Sequence, residues 1–372
     1  MIRRLFPIPA VGRTEAFLLR VLFGFALIHF FPAALTQTSQ PVPVGLAHWF
    51  DLTWMSDANA YQPFRSLFFL LVFAYVSGLW LHVVLPALTL VHVLPYTLLN
   101  SQGHAHHGYQ VLSLTLLGLS VAAIFTRSRE QTATSGMLTR WFIPIVGILA
   151  AMRLFRIWLD SSANAALARA VADLEPVNAL RLMTLGTLLV FAGICVLLHI
   201  FLSRDPAYAK RVPTDHASAW QLMAGQFMIA GSYLVSVCSK MVKSGGEWIM
   251  NSHYVALDFV KTTRQAYYTA LDPALQYDPP GVRLLLENEW LARAFFSGGL
   301  VLEAVLIFAI GTRRVALVFG ILLILMHRTI MELMTLTFHT NEAAVALFFV
   351  NVPFLLACLV QRFNRSAASP SV

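Results

Sequence analysis

Charged residues are scarce in this chain. Of its 372 residues, 12% are Asp, Glu, Lys or Arg, about half of the ~25% found in soluble globular proteins. Apolar and aromatic residues make up 58%, and the mean hydropathy is +0.69. A soluble protein of this length would need many more Lys and Glu side chains to cover its surface. The composition therefore excludes a soluble protein and predicts an all-α integral membrane protein.

Cysteine is equally rare. Cys195, Cys238 and Cys358 lie far apart and form no CxxC, which excludes a disulfide relay, a haem-attachment motif and a zinc ribbon. The chain also lacks a Walker loop, a GxGxxG after a strand, a GxSxG elbow and an HExxH motif. These absences argue against ATP-driven transport and the common hydrolase chemistries.

The net charge of +8 reflects membrane topology rather than nucleic-acid binding. Basic residues form short clusters between long apolar runs, as expected where loop charge orients a membrane protein. The clusters are Arg3, Arg4 and Arg13; Arg127, Arg129 and Arg140; Arg204, Lys210 and Arg211; Arg313 and Arg314; and Arg362 and Arg365. We expect the lipid bilayer, and no nucleic acid, as a partner.

Apolar runs of about 20 residues, the length that crosses a bilayer, recur along the chain. The predicted spans are Phe17–Pro32, Tyr109–Thr126, Trp141–Leu159, Leu182–Phe201, Trp220–Lys240, Leu291–Ile310, Val315–Phe338 and Ala343–Val360. Phe17–Pro32 is long and has no small-x-small cleavage site, so we expect it to be retained rather than removed as a signal peptide.

The segment Ser66–Leu99 is too long for one ordinary span and short for two. All basic clusters lie on the cytoplasmic side only if this segment is a tight hairpin of two short helices. The sequence thus predicts a polytopic bundle of about ten transmembrane helices in a bacterial inner membrane, with both termini cytoplasmic. We expect one membrane-embedded domain over residues 1–372.

Residues 241–290 form the longest predicted outer segment. Apolar pieces alternate there with charged residues, and Pro273, Pro279 and Pro280 follow. This pattern is typical of helices that lie in the membrane interface, followed by a proline-rich turn.

The clearest candidate site is Lys240, which closes an apolar span and precedes Gly245, Gly246 and Trp248. Desolvation disfavours the charged form of a lysine, so a lysine in a dry pocket can act as a general base. In the alternative interpretation, Lys240 and Lys243 extend to the interface and Trp248 anchors there.

Two further groups of polar residues occur near or within spans. His104, His106 and His107 precede Tyr109, but their close spacing fits no standard zinc site and favours a solvated loop. We expect no metal. The second group comprises Arg153, Arg156, Glu303, His327, Arg328 and Glu332. Arg328 and Glu332 are four residues apart and can pair on one helix face. This group is either charge-paired packing between helices or a proton path.

Three segments resemble the vitamin K-dependent gamma-carboxylase family and its bacterial relatives with a horizontally transferred transmembrane domain. Tyr233-Leu-Val-Ser-Val-Cys-Ser-Lys-Met, followed by Gly245, Gly246 and Trp248, resembles the family's aromatic–small–Lys–Leu–Trp segment. His107-Gly-Tyr109, after Asn100, resembles its Asn-His-x-Tyr element. Met326-His327-Arg328, with Glu332 and 335–338, resembles its histidine-bearing late helix.

The resemblance implies an active site on the outer side of the membrane. It implies that Lys240 deprotonates a quinol cosubstrate and that His107 stabilises the oxygenated intermediate. Asn100, Tyr109, Lys243, Trp248, His327 and Glu332 would bind substrate or support the site. The chain departs from the family by ending at its last predicted helix, without the large outer domain that binds the peptide substrate. Lys243 and altered spacing before Trp248 are further departures. We therefore expect a small-molecule or peptide substrate, but not the carboxylation of a protein.

Two other functions fit the same sequence. One is a non-catalytic membrane factor for the maturation, export or immunity of a small partner. It predicts tolerance at Lys240 and His107 and sensitivity in residues 241–290. The other is a proton-coupled transporter that uses Glu303, His327 and Glu332 as its polar path.

Overall fold

A computed structural model describes residues 8–35, 39–102, 107–126, 216–273, 282–334 and 336–367. The predicted spans Trp141–Leu159 and Leu182–Phe201 lie outside these residues, as do Arg153, Arg156, His104 and His106. The regular elements of the described residues are helices, with no strand among them. The all-α fold class is thus confirmed for this part of the chain.

We number the α-helices of the described residues in chain order. They are α1 (Arg13–Phe30), α2 (Ala58–Val76), α3 (Leu81–Ser101), α4 (His107–Thr126), α5 (His216–Lys243), α6 (Trp248–Asn251), α7 (Val255–Ala270), α8 (Val282–Glu287), α9 (Glu289–Val305), α10 (Arg313–Met334), α11 (His339–Phe348) and α12 (Val352–Ala367). Short 3-10 helices lie at Gly45–His48, Thr53–Ser56, Ser252–Tyr254 and Leu306–Ala309.

Five stretches of the described helices are long and apolar enough to cross a membrane. They are Leu81–Ser101, Tyr109–Thr126, Ala217–Lys243, Glu289–Ala309 and Arg313–Met331. The chain is an integral membrane protein on this evidence. The total of about ten spans stays a prediction.

The predicted hairpin in residues 66–99 is present as two helices. Helix α2 ends at Val76, and α3 begins at Leu81. Gly78 lies in the connection with φ +73°, a conformation that favours glycine. Both helices extend beyond the predicted segment. Asp57 caps the start of α2 by accepting a hydrogen bond from the Asn59 amide at 2.9 Å.

The predicted span Ala343–Val360 is not one straight helix, because the chain breaks between α11 and α12 with a bend of 49°. Asn351 has φ +55°, and its side-chain oxygen accepts a hydrogen bond from the Phe354 amide at 3.2 Å. It therefore starts a new helix instead of continuing α11.

Hydrogen bonds between distant residues define the two ends of the bundle. At one end, which we call the Glu15 end, Glu15 near the start of α1 pairs with Arg313 at the start of α10. At the other, which we call the Phe30 end, Tyr96 of α3 donates to the Phe30 carbonyl at 2.7 Å. There Tyr61 of α2 donates to the Pro32 carbonyl, also at 2.7 Å.

Helices α4 and α5 pack closely against each other. A Cβ atom on Gly118 would lie 2.9 Å from the Ala224 carbonyl oxygen and 2.6 Å from Met228 Cγ. Only glycine permits this approach of α4 to α5. The packed faces join the main core, which includes the buried residues Leu112, Leu116, Leu119, Leu222, Ile229 and Ala230.

The segment of residues 241–290 contains helices, as the sequence predicted, namely α6, α7 and α8. Residues 274–281 of this segment lie outside the described part. A small apolar cluster joins α7 and α8 to α9 through Ala256, Phe259, Val282, Leu285 and Ala292. Other apolar residues of this segment are exposed, among them Met250, Tyr254, Leu257, Tyr268 and Leu271. A location in the membrane interface remains a prediction.

Candidate functional site

Lys240 lies in the last turn of α5 and forms an ion pair with α9. Its ammonium nitrogen donates to Glu303 Oε2 at 2.6 Å. The Lys240 side chain is 32% exposed and that of Glu303 is 11% exposed. The carboxylate thus lies inside the bundle, and the lysine reaches it from the edge.

Trp248 completes this group. Lys240 Nζ lies 5.7 Å from the centre of the Trp248 ring, within the range of a cation–π interaction. The chain turns at Gly245 and Gly246, which have φ +62° and φ +90°. These two left-handed residues return α6 toward the end of α5, so that Trp248 lies over Lys240.

The site therefore differs from a dry pocket around an unpaired lysine. The ammonium group has an anionic partner and partial access to solvent. To act as a base, Lys240 must first lose its proton to Glu303 or break its ion pair with Glu303. Lys243 is exposed, three residues further along the last turn of α5.

A second polar pair, between α5 and α10, is more deeply buried. The Tyr233 hydroxyl and His327 Nε2 are 3.1 Å apart, and both residues are buried. Asn341 makes a side-chain hydrogen bond to the same hydroxyl. The His327 ring stacks on Phe338 with the ring centres 4.8 Å apart. The pair joins α5, α10 and α11 in one polar cluster.

Arg328 forms its ion pair between helices. Its guanidinium donates to Glu342 Oε2 of α11 at 2.6 Å. Glu342 is buried and His339 Nδ1 lies 3.6 Å from the same oxygen. Because Glu342 is buried, its carboxylate requires a cation nearby, and Arg328 provides one. Glu332 lies on α10, but its side chain is outside the described part of the structure.

Polar residues recur every seventh position along α5. Gln226 accepts a hydrogen bond from the Gly311 amide at 3.0 Å and donates to the Phe348 carbonyl at 2.8 Å. Tyr233 contacts His327, and Lys240 contacts Glu303. Seven residues correspond to about two helical turns, so the three side chains share one face of α5. The sequence did not lead us to assign Tyr233 to the site, but its seven-residue spacing from Gln226 and Lys240 could have identified it.

The elements that carry His107 lie at the same end of the bundle as Lys240. Tyr109 stacks on Tyr96 with ring centres 4.4 Å apart, and Tyr96 bonds Phe30. Asn100 follows Tyr96 by one turn of α3. Helix α5 runs toward this end, because Gln226 contacts Gly311 near Arg313, and Tyr233 contacts His327 farther along α10.

Position along the helices can be estimated from the contact of Gly118 with α5. At about 1.5 Å per residue, His107 lies about 16 Å from that contact and Lys240 about 20 Å, both toward the Phe30 end. The His107 side chain itself is outside the described part. His107 and Lys240 therefore lie at the same end of the bundle. The contacts that the structure shows for Lys240 are those with Glu303 and Trp248.

Within the described ranges, no three His, Cys, Asp or Glu side chains come together in a group that could hold a metal ion. Comparison of the chain with protein-family models, with curated proteins and with solved structures finds no match.

Proposed function

We propose that the protein is a membrane enzyme whose substrate is a lipid-soluble quinol or a similar phenol. The observation that carries this proposal is the 2.6 Å pair of Lys240 and Glu303 beneath Trp248, at the end of an apolar helix. The pair offers a cation, a proton acceptor and an aromatic face in one place. A quinol head group presents hydroxyls and a flat ring, which match these three features.

The surroundings suit a substrate that arrives from the bilayer. Ile249 and Met250, which follow Trp248 on α6, are exposed apolar side chains, and Tyr254 and Leu257 further along the chain are also exposed. An apolar tail would remain among lipids while the head group meets Lys240. The resemblance to the carboxylase family supports the same substrate class, with His107 as stabiliser. We place the site at the outer side of a bacterial inner membrane.

The test uses the full chain in lipid nanodiscs with decyl-tailed benzoquinol and naphthoquinol. Aerobic oxidation of the quinol is followed by the absorbance of the quinone. We expect Lys240→Ala to lower the rate about 100-fold, the usual scale of acid–base catalysis. The matched control is Lys261→Ala, an exposed lysine of α7. The proposed enzymatic function would be rejected if both variants oxidise the quinol at equal rates and Lys240→Ala fully complements a deletion strain.

That rejection would favour the non-catalytic factor if substitutions in residues 241–290 abolish complementation. Tolerance of His107→Ala would be expected in the same case. The complementation assay thus separates these two classes without knowledge of the natural substrate.

A second candidate function is proton-coupled transport. The observation that favours it is the buried hydrogen bond between Tyr233 and His327, since polar pairs inside a membrane bundle mark ion or proton paths. In proteoliposomes with a pH-sensitive dye inside, this function predicts proton flux that is lost on His327→Gln or Glu332→Gln and retained on Lys240→Ala. If Lys240→Ala also loses the flux, this would contradict a proton path through His327 and Glu332 that is independent of Lys240.

A further inference from the structure

The location of Glu303 suits a proton acceptor, because its carboxylate lies inside the bundle and not on the surface. Its carboxylate is mostly buried, and its ion pair is made with the edge residue Lys240. A buried carboxylate that loses its cation is strongly disfavoured unless it is neutralised. Any ligand that takes the Lys240 ammonium for itself therefore favours protonation of Glu303.

A weakly acidic hydroxyl provides both parts of this exchange. When the ligand O–H bond breaks, the oxygen becomes an anion that can pair with Lys240. The proton can pass through the Lys240 amine and form a new O–H bond on Glu303. Lys240 has the same charge before and after the exchange, and the negative charge moves from Glu303 to the ligand. No charge is created in the membrane, and no oxidant is needed for this step.

The more deeply buried polar groups of α5, α10 and α11 have partners of their own. The Tyr233 hydroxyl lies 3.1 Å from His327 Nε2. Glu342, the buried carboxylate of α11, pairs with Arg328. Lys240 and Glu303 are the ion pair that lies beside Trp248, where a ligand that contacts the Trp248 ring can also reach the Lys240 ammonium.

We propose that Glu303 is the final acceptor of the substrate proton and that Lys240 conducts this proton and then pairs with the deprotonated oxygen. This inference rests on the proposed function, and it specifies the substrate as an amphiphile with an acidic hydroxyl. It assigns to Glu303 a role that the sequence left open between helix packing and a proton path.

Infrared difference spectroscopy of the full chain in nanodiscs tests the proposal under anaerobic conditions. Addition of decyl-tailed benzoquinol should produce the carbonyl band of a protonated carboxyl group. Glu303→Gln should abolish the band, and Glu303→Asp should restore a shifted band, which also shows that the site folds with a carboxylate there. The dimethyl ether of the same quinol has no acidic proton and should give no band.

The matched control is Glu247→Gln, because Glu247 is exposed and bonds Asn251. It should leave the band unchanged. A band that persists in Glu303→Gln overturns the role of Glu303 while the quinol function stands. Absence of any band in the unmodified protein, although it oxidises the quinol, also overturns the role of Glu303 alone. Absence of both the band and quinol oxidation rejects the two proposals together.

Discussion

Glu15 and Arg313, 298 positions apart in the sequence, form a two-pronged ion pair. Arg313 Nη1 lies 2.7 Å from Glu15 Oε1, and Nη2 lies 2.8 Å from Oε2. Asn351 adds a hydrogen bond to Glu15 Oε1 at 2.9 Å, and Arg313 also donates to the Ala10 carbonyl. The start of α1 is thereby joined to the start of α10 and to the break before α12.

Arg313→Gln should destabilise the protein because it leaves the buried Glu15 carboxylate without its cation. We expect a loss of about 3–5 kcal/mol in the free energy of unfolding, measured in mixed micelles. The neighbouring Arg314 is exposed, so Arg314→Gln should change this free energy by less than about 0.5 kcal/mol. Equal effects of the two variants would contradict a structural role for the pair.

Lys240 and Glu303 should be energetically coupled. Lys240→Met and Glu303→Leu each remove one member of the pair and leave the other unpaired, whereas the double variant removes both. The double variant should therefore be more stable than the sum of the single effects predicts, by about 1–3 kcal/mol. Additive effects in the same unfolding assay would show that the 2.6 Å contact carries little energy.

Tyr233→Phe should destabilise the deeper cluster. The change keeps the ring and removes the hydroxyl that bonds His327 and Asn341. Because these buried partners would lose a hydrogen bond, we expect a cost of about 1–3 kcal/mol. Tyr268 is exposed, and Tyr268→Phe is the control. No difference between the two variants would mean that the hydroxyl is dispensable.

Gly225 and Gly231, six residues apart on α5, should respond in opposite ways to alanine. A Cβ atom at Gly225 would collide with the Phe348 ring, whereas one at Gly231 would meet nothing within 4 Å. Gly225→Ala should cost about 1–3 kcal/mol through overpacking. Gly231→Ala should be neutral or stabilising by up to about 1 kcal/mol through helix propensity. Melting temperatures in nanodiscs would reveal the difference, and a reversed order would contradict the packing of α5 against α11.

The predicted orientation of the bundle can be measured by cysteine labelling. In a cysteine-free background, His48→Cys lies between α1 and α2 and Arg314→Cys lies at the Glu15 end, both at exposed positions. A membrane-impermeant thiol reagent added to intact spheroplasts should label His48→Cys and spare Arg314→Cys. After lysis it should label both. The inverse pattern would place the termini outside.

Local patterns in the sequence predicted the features that depend on local physics. Hydropathy and charge bias predicted that residues 66–99 form two helices and that residues 241–290 contain further helices, both of which the structure has. The break at Asn351 was missed because residues 343–360 read as one continuous apolar run. A cap and a buried partner, Glu15, stabilise that break from outside the run.

The sequence by itself determined the membrane class and predicted helices that the described residues have, because the bilayer imposes span lengths. It marked Lys240 as a candidate because each charge near a span is costly. The tertiary structure decided the partners: Glu303 for Lys240, Glu342 for Arg328 and Arg313 for Glu15. Which buried carboxylate meets which cation depends on the packing of helices that are far apart in the chain. The lengths of the spans and the charges of the loops do not predict that packing.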